Sequence, residues 1–138
     1  TSPNGLIFSK DFKELYVAQS DFNGNQRRQL RSYQVDTNNN LKSHKVLHDF
    51  GPHRGIDGMA LDSDGNIVAT CGWEVSGPGP MICIFDKKGR IILSERTPCM
   101  RPSNIAFGGK NLEDIYITSL EGHLYRVRNS GLKGNKLP

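Results

Sequence analysis

The chain is 138 residues long, enough for one domain with an ordinary core, and its mean hydropathy of −0.53 and 36% apolar content leave no apolar run near the roughly 20 residues of a membrane-spanning helix. The net charge of +4 comes from scattered Lys and Arg, densest at Arg27, Arg28 and Arg31. There is no basic stripe interleaved with aromatics and no nucleic-acid motif, so neither nucleic acid nor a membrane is an expected partner.

The chain begins Thr1-Ser2-Pro3, almost directly on a strand, which leads us to expect a fragment or a mature form whose front half lies elsewhere. Short runs rich in Val, Ile, Tyr and Phe alternate with turn clusters, 15 glycines are present, and no stretch shows a clean 3.6-residue apolar period. The fold class is therefore all-β. A first unit carries strands over 4–9, 14–19, 29–36 and 43–49. A second carries 56–62, 66–72, 81–86 and 91–96. A third carries 103–108, 114–119 and 123–128, and residues 129–138 do not read as a full strand. Asp36-Thr37-Asn38-Asn39-Asn40, Asp62-Ser63-Asp64-Gly65-Asn66 and Lys87-Lys88-Gly89-Arg90 read as hairpin turns, with Gly65 and the asparagines suited to left-handed backbone. Residues 21–28 and Glu74–Pro80 read as longer loops between second and third strands, where binding sites often lie.

The units resemble one another. Pro3-Asn4-Gly5-Leu6-Ile7-Phe8, Ile56-Asp57-Gly58-Met59-Ala60-Leu61 and Pro102-Ser103-Asn104-Ile105-Ala106-Phe107 open them, 53 and 46 residues apart counted from Asn4 to Asp57 to Ser103. A supersecondary unit recurring at about 40–50 residues is the signature of β-propeller blades, here approximately 1–50, 51–100 and 101–138 with the last blade incomplete. In a propeller, corresponding positions converge on the central axis, so Asn4 and Asp57 are expected to share one site. Cys71, Cys83 and Cys99 are an odd set without CxxC spacing, which argues against a zinc site or a disulfide framework. Cys71 and Cys83 read as small buried hydrophobes.

Pro3-Asn4-Gly5-Leu6, Ile56-Asp57-Gly58-Met59, Ala106-Phe107-Gly108-Gly109 before a Tyr-Ile-Thr strand, and Leu124-Tyr125-Arg126-Val127 together resemble the SMP-30/gluconolactonase family. The resemblance runs the length of this chain and corresponds to the C-terminal half of a typical member. It implies half of a six-bladed β-propeller that binds a divalent metal on its axis and hydrolyses lactones. Carried over by position, Asn4 matches the amide-oxygen metal ligand, and Asp57 the carboxylate ligand that also serves as general base. Such donors suit a hard cation, Ca²⁺ first, with Mg²⁺, Mn²⁺ or Zn²⁺ as alternatives. Gly5 and Gly58 suit a crowded strand start near a ligand. The family's first-blade glutamate ligand has no counterpart here.

Around this pair, Ser103 and its neighbour Asn104 occupy the analogous place in the third unit and are candidate substrate contacts. His53 and Arg54 lie on the loop entering the Asp57 strand, Trp73 could wall a sugar-like substrate, and Gln19 with Ser20 ends the second strand of the first unit. His44, His48 and His123 lack ligand spacing and read as surface or packing residues. The expected function is metal-dependent hydrolysis of a small-molecule lactone, the cation polarising the carbonyl and Asp57 assisting water. The alternative is a non-catalytic propeller fragment acting as a binding or assembly module. Three blades leave unpaired sheet edges, so the ring is expected to close either with a second copy of the chain, as a homodimer, or with a missing N-terminal half.

Overall fold

The computed structural model describes residues 2–20 and 27–136. Within them the chain forms eleven strands and three antiparallel sheets. The first sheet holds β1 (Pro3–Phe8), β2 (Glu14–Gln19), β3 (Arg28–Val35) and β4 (Leu41–Gly51), in that order. The second holds β5 (Ile56–Leu61), β6 (Ile67–Trp73), β7 (Ser76–Phe85) and β8 (Ile91–Arg96), again in chain order. The third holds β9 (Pro102–Gly108), β10 (Asp114–Ser119) and β11 (Leu124–Val127). Each sheet is a meander, and β1, β5 and β9 lie side by side as innermost strands. These are three propeller blades, with four, four and three strands.

Period-2 alternation explains why the middle sheet holds the assembly together. Ile67, Ala69 and Cys71 of β6 face the first sheet, in one core with Tyr16, Ala18, Leu30, Ile56, Met59, Leu61, Cys83 and Phe85. Val68, one residue out of phase, faces the third sheet with Ile84, Cys99, Ile105, Ile115 and Ile117. Residues 67–72 are buried throughout, which is why β6 reads as an unbroken run rather than an alternation. Phe85 and Leu30 are fully buried, each contributing about 1.5–3 kcal/mol relative to exposure.

Three hairpins use one device. Asp36 Oδ1 accepts the backbone N–H of Asn38 and Asn40, Asp62 Oδ1 those of Asp64 and Asn66, and Asp86 Oδ1 those of Lys88 and Arg90, at 2.8–2.9 Å. In each turn the third residue after the Asp takes a positive φ: Asn39 (62°), Gly65 (83°) and Gly89 (84°). The aspartate side chain caps the turn and the αL residue closes it.

Strand bounds fall within two residues of expectation for ten of the eleven strands, and one segment differs more. Glu74–Pro80, expected as a loop, is mostly strand: only Glu74 and Val75 turn, Trp73 pairs with Ser76, and β7 runs on through Pro80. Its Gly and Pro content marks an irregular strand, with Gly77 and Gly79 at positive φ, rather than a break in pairing. The loop expected over 21–28 lies, in residues 21–26, outside the described residues. The tail after β11 forms no full strand, but it docks: Gly134 bridges Asp62, and Ser63 N donates to Lys133 O at 2.7 Å.

Candidate functional site

Each inner strand carries a bulge near its start. On β1 the register jumps between Pro3↔Gln19 and Leu6↔Val17, leaving Asn4 and Gly5 out of step. On β5 it jumps between Ile56↔Cys71 and Met59↔Ala69, leaving Asp57 and Gly58. On β9, Pro102 pairs with Ser119 and Asn104 with Thr118, so Ser103 is the extra residue. A bulge releases its residue from the ladder and re-aims the side chain. Asn4, Asp57 and Ser103 are thus structurally equivalent, and all three sit at one end of the inner strands.

The glycines after the first two make this closeness possible. A Cβ at Gly5 would overlap the Asp57 carbonyl oxygen, and one at Gly58 would overlap the Asn104 side chain and lie 2.6 Å from Asn104 Cα. Asn4 Nδ2 donates to Asp57 Oδ1 across the two strands. Arg54 Nη2 donates to the other oxygen, Oδ2, and both the Arg54 and Asp57 side chains are 14% exposed.

Two hollows flank this contact. The axial one, about 270 Å³, is lined by Asn4, Asp57, Gly58, Ser103 and Asn104 among others. There Ser103 Oγ lies 2.9 Å from Thr118 Oγ1, and Asn104 Oδ1 accepts the Ile105 N–H. The second, about 290 Å³, lies towards the blade loops and is lined by Asn4, Asp57, Arg28, Arg54, Trp73 and Ser76, with Ser20 at its wall. Arg54 and Arg101 both place their guanidinium over the Trp73 ring, at 5.5 and 5.3 Å from its centroid. Arg101 in turn binds Glu74 at 2.6 Å and holds that carboxyl below its usual range. Ser76 Oγ accepts from the Arg54 backbone N–H at 3.1 Å, and Ser20 Oγ donates to Ile56 O at 2.6 Å.

The structure therefore gathers Asn4, Asp57, Ser103 and Asn104 about the axial hollow, and Arg54 and Trp73 about the second. Gln19 and His53 line neither. Gln19 is buried beside Pro3 with its Nε2 lacking a protein partner, and His53 is exposed on the loop before β5. His48 packs edge-on against Phe50 and Phe85, and His44 and His123 lie against Tyr33 and Tyr125. Arg28 and Ser76 were not singled out from sequence. Arg28 belongs to a loop-edge basic cluster with no distinguishing motif, and Ser76 was hidden by the loop reading of its segment.

The donor chemistry fits a hard cation in kind. An amide oxygen from Asn4 and a carboxylate oxygen from Asp57 are donors that Ca²⁺ and Mg²⁺ accept. Exchanging the O and N of the Asn4 amide turns Oδ1 to the Asp57 side, as a shared cation requires. The set is partial: calcium takes six to eight oxygens, and among the described residues no three His, Cys, Asp or Glu side chains gather to hold a metal.

Comparison with known proteins bears on the family and the fold. Residues 1–121 match the family model described as the SMP-30/gluconolactonase/LRE-like region. A lactonohydrolase of Aspergillus oryzae is 29% identical over 149 residues, covering 91% of this chain and 29% of its own length. The solved structure of a luciferin-regenerating enzyme superposes with a TM-score of 0.78 at 26% identity, over 96% of this chain and 46% of the other. A calcium-binding protein, regucalcin, from Agrobacterium tumefaciens superposes with a TM-score of 0.69 at 25% identity, over 88% of this chain and 39% of its own. The chain spans less than half the length of each of these.

Proposed function

Because the chain belongs to the SMP-30/gluconolactonase/LRE-like family, we propose that it supplies three blades and part of the metal site of a propeller that hydrolyses sugar lactones. One observation carries the reading: Asn4 and Asp57, 53 residues apart in sequence, meet side chain to side chain at the mouth of the axial hollow. The lactonohydrolase relative supports the reaction class, and the regucalcin relative, described as calcium-binding, supports calcium as the cation. Asn4 Oδ1 and Asp57 would hold the cation, other donors coming from water or from outside this chain. A divalent cation supplies a Lewis acid for the lactone carbonyl and its developing oxyanion.

The remaining steps fall to this chain's residues. Asp57 takes a proton from the water whose oxygen attacks the carbonyl carbon. The ring C–O bond breaks, and the leaving oxygen takes that proton back from Asp57 to give the hydroxy acid. Arg54 fixes Asp57 through Oδ2, leaving Oδ1 turned to Asn4. Ser103 Oγ stands across the axial hollow as a contact for substrate hydroxyls. We further propose that a second copy of the chain, or chain beyond these residues, completes the ring.

Acid release from D-glucono-1,5-lactone, followed at constant pH with and without chelator, tests the reading. Asp57→Ala and chelation are each expected to abolish the catalysed rate. Hydrolysis indifferent to both would sink it. Asp57 is the single carboxylate lining either hollow among the described residues. That favours, for the isolated chain, the second reading of a non-catalytic binding or assembly module.

A further inference from the structure

We propose that Thr70, on β6, is a positioning residue for Asp57: its hydroxyl holds the bulge that turns the Asp57 carboxylate to Asn4. The inference rests on the axial-site reading above, in which Asp57 meets Asn4 and a cation. It adds to that site a residue that lines neither of the two hollows.

A bulge frees a side chain, but it also takes backbone groups out of the ladder. On β5 the register jumps from Ile56↔Cys71 to Met59↔Ala69, so Asp57 and Gly58 together face the single residue Thr70. Gly58 is buried, so its N–H and C=O need partners inside the protein. The Thr70 side chain supplies both. Its Oγ1 accepts the Gly58 N–H at 3.0 Å and donates to Gly58 O at 3.2 Å. One hydroxyl stands in for the two backbone groups with which a residue in register would pair. The Gly58 nitrogen and the Asp57 carbonyl belong to one planar peptide unit, so fixing Gly58 N fixes the direction in which the chain leaves Asp57.

Packing does not call for a threonine here. Thr70 is 0% exposed, and its neighbours Ile67, Val68, Ala69 and Cys71 are all buried and apolar. A hydroxyl in such a run is costly unless it is bonded, and valine has nearly the same shape without one. The other two blades show what the position does. Opposite the β1 bulge stands Ala18, which has no hydroxyl, and Gly5 there is only half-buried. Opposite the β9 bulge stands Thr118, whose Oγ1 lies 2.9 Å from Ser103 Oγ, side chain to side chain. The hydroxyl closes backbone bonds in the one blade that buries its bulge glycine, and that blade carries the carboxylate.

The test compares Thr70→Val, which keeps the shape and loses the hydroxyl, with Thr70→Ser, which keeps the hydroxyl and loses a methyl group, on the natural full-length chain. NMR of the metal-free protein reads hydrogen exchange at the Gly58 amide. It also reads the Asn4 side-chain amide resonances, which report the contact with Asp57, and Asp57→Ala marks their position without it. Calorimetry reads Ca²⁺ affinity. Thr70→Val is expected to speed Gly58 exchange and to move the Asn4 resonances towards their place in Asp57→Ala. It is also expected to weaken the apparent Ca²⁺ affinity by about 5- to 150-fold, the cost of leaving a buried backbone group unbonded. Thr70→Ser is expected to stay close to the wild type in all three, although its urea midpoint falls with the lost methyl. If Thr70→Val fails to fold, Thr70→Cys, with a weak donor and acceptor in place of the serine oxygen, is set against Thr70→Ser instead. Wild-type Asn4 resonances in Thr70→Val, or a Thr70→Ser protein as impaired as Thr70→Val, would overturn the role and leave Thr70 to packing alone. The Asn4 resonances are read without metal or substrate. A wild type that binds no Ca²⁺ or hydrolyses no lactone would therefore defeat the lactonase reading, while the Asn4 comparison still decides the role of Thr70.

Discussion

Gly58→Ala tests whether the inner strands are packed at the distance that the site requires. Gly58 is buried on β5 and does not have a positive φ, so alanine meets no backbone penalty there. At such a position, restricting the unfolded chain stabilises by about 0.4–1 kcal/mol. Opposing this, the new methyl would lie 2.6 Å from Asn104 Cα and 2.7 Å from its Cγ, where carbon pairs prefer about 3.5–4.0 Å. Asn104 Cγ can rotate away, but its Cα belongs to β9, pinned by buried Ile105 on the following residue. The two strands must therefore part by close to an ångström, and overpacking of this kind costs about 1–3 kcal/mol. The clash outweighs the entropy gain, and the net expectation is a loss of about 1–2 kcal/mol. Urea denaturation followed by the fluorescence of Trp73, the chain's single tryptophan, reads it directly. The midpoint should fall with the slope unchanged. A midpoint that stays or rises would mean that β5 and β9 are not held this close, and the spacing of Asp57 from Ser103 would lose its support.

Two further outcomes follow from the same structure. Asp49 accepts from Arg27 Nε at 2.7 Å and from the Gly51 N–H, and these bonds, Arg27 first, lower its pKa to about 2. A depressed carboxylate stabilises the fold fully above its unfolded pKa of roughly 4 and loses that contribution as pH falls through 2; an NMR titration midpoint for Asp49 in the ordinary carboxylate range would refute the pairing. The apolar groove of about 520 Å³ along the inner strands leaves Leu6, Phe8 and Phe12 at 40–59% exposure. If a second copy closes the ring, light scattering of the 138-residue chain should give twice its 15.4 kDa; the monomer mass would eliminate the second copy and leave chain beyond these residues as the source of the missing blades.

Much of this arrangement was legible in sequence because propeller blades repeat. The pairs Asn4-Gly5 and Asp57-Gly58 stand at matching offsets before an apolar run, and hydrophobic period and turn chemistry are local signals. The Asp36, Asp62 and Asp86 turns write their geometry into five residues each. What could not be read depended on neighbours distant in sequence. Ser76 lay in a Gly- and Pro-rich segment whose composition outweighs its pairing, since a strand kinked at Gly77 and Gly79 lacks regular alternation. Arg28 donates to the carbonyl of Pro52, 24 residues on, a contact that its local sequence does not announce. Gln19 shows the converse: the end of β2 is a sensible position to nominate, but a one-residue change of phase decides whether a side chain faces the hollow or the interior. At that point Ser20 faces the hollow and Gln19 does not.

The bulges explain why chemistry varies at a position where the fold does not. In a regular strand, Asn4, Asp57 and Ser103 would each face a cross-strand partner and alternate with the core, so their identities would be set by packing. Out of register, their side chains are excused from the ladder, while Pro3, Ile56 and Pro102 just before them keep the strand anchored. The scaffold then tolerates an amide, a carboxylate and a hydroxyl at three equivalent places. The constraint shifts to the next residue, where Gly5 and Gly58 must have no side chain because the adjacent inner strand passes within contact. A substitution at Asp57 should therefore abolish cation binding while also leaving the enclosed Arg54 without its carboxylate, whereas one at Gly58 should act on stability alone. Ranking the two by loss of Ca²⁺ binding against loss of urea midpoint separates these roles, and a Gly58→Ala protein that keeps full stability but loses the cation would reverse the assignment.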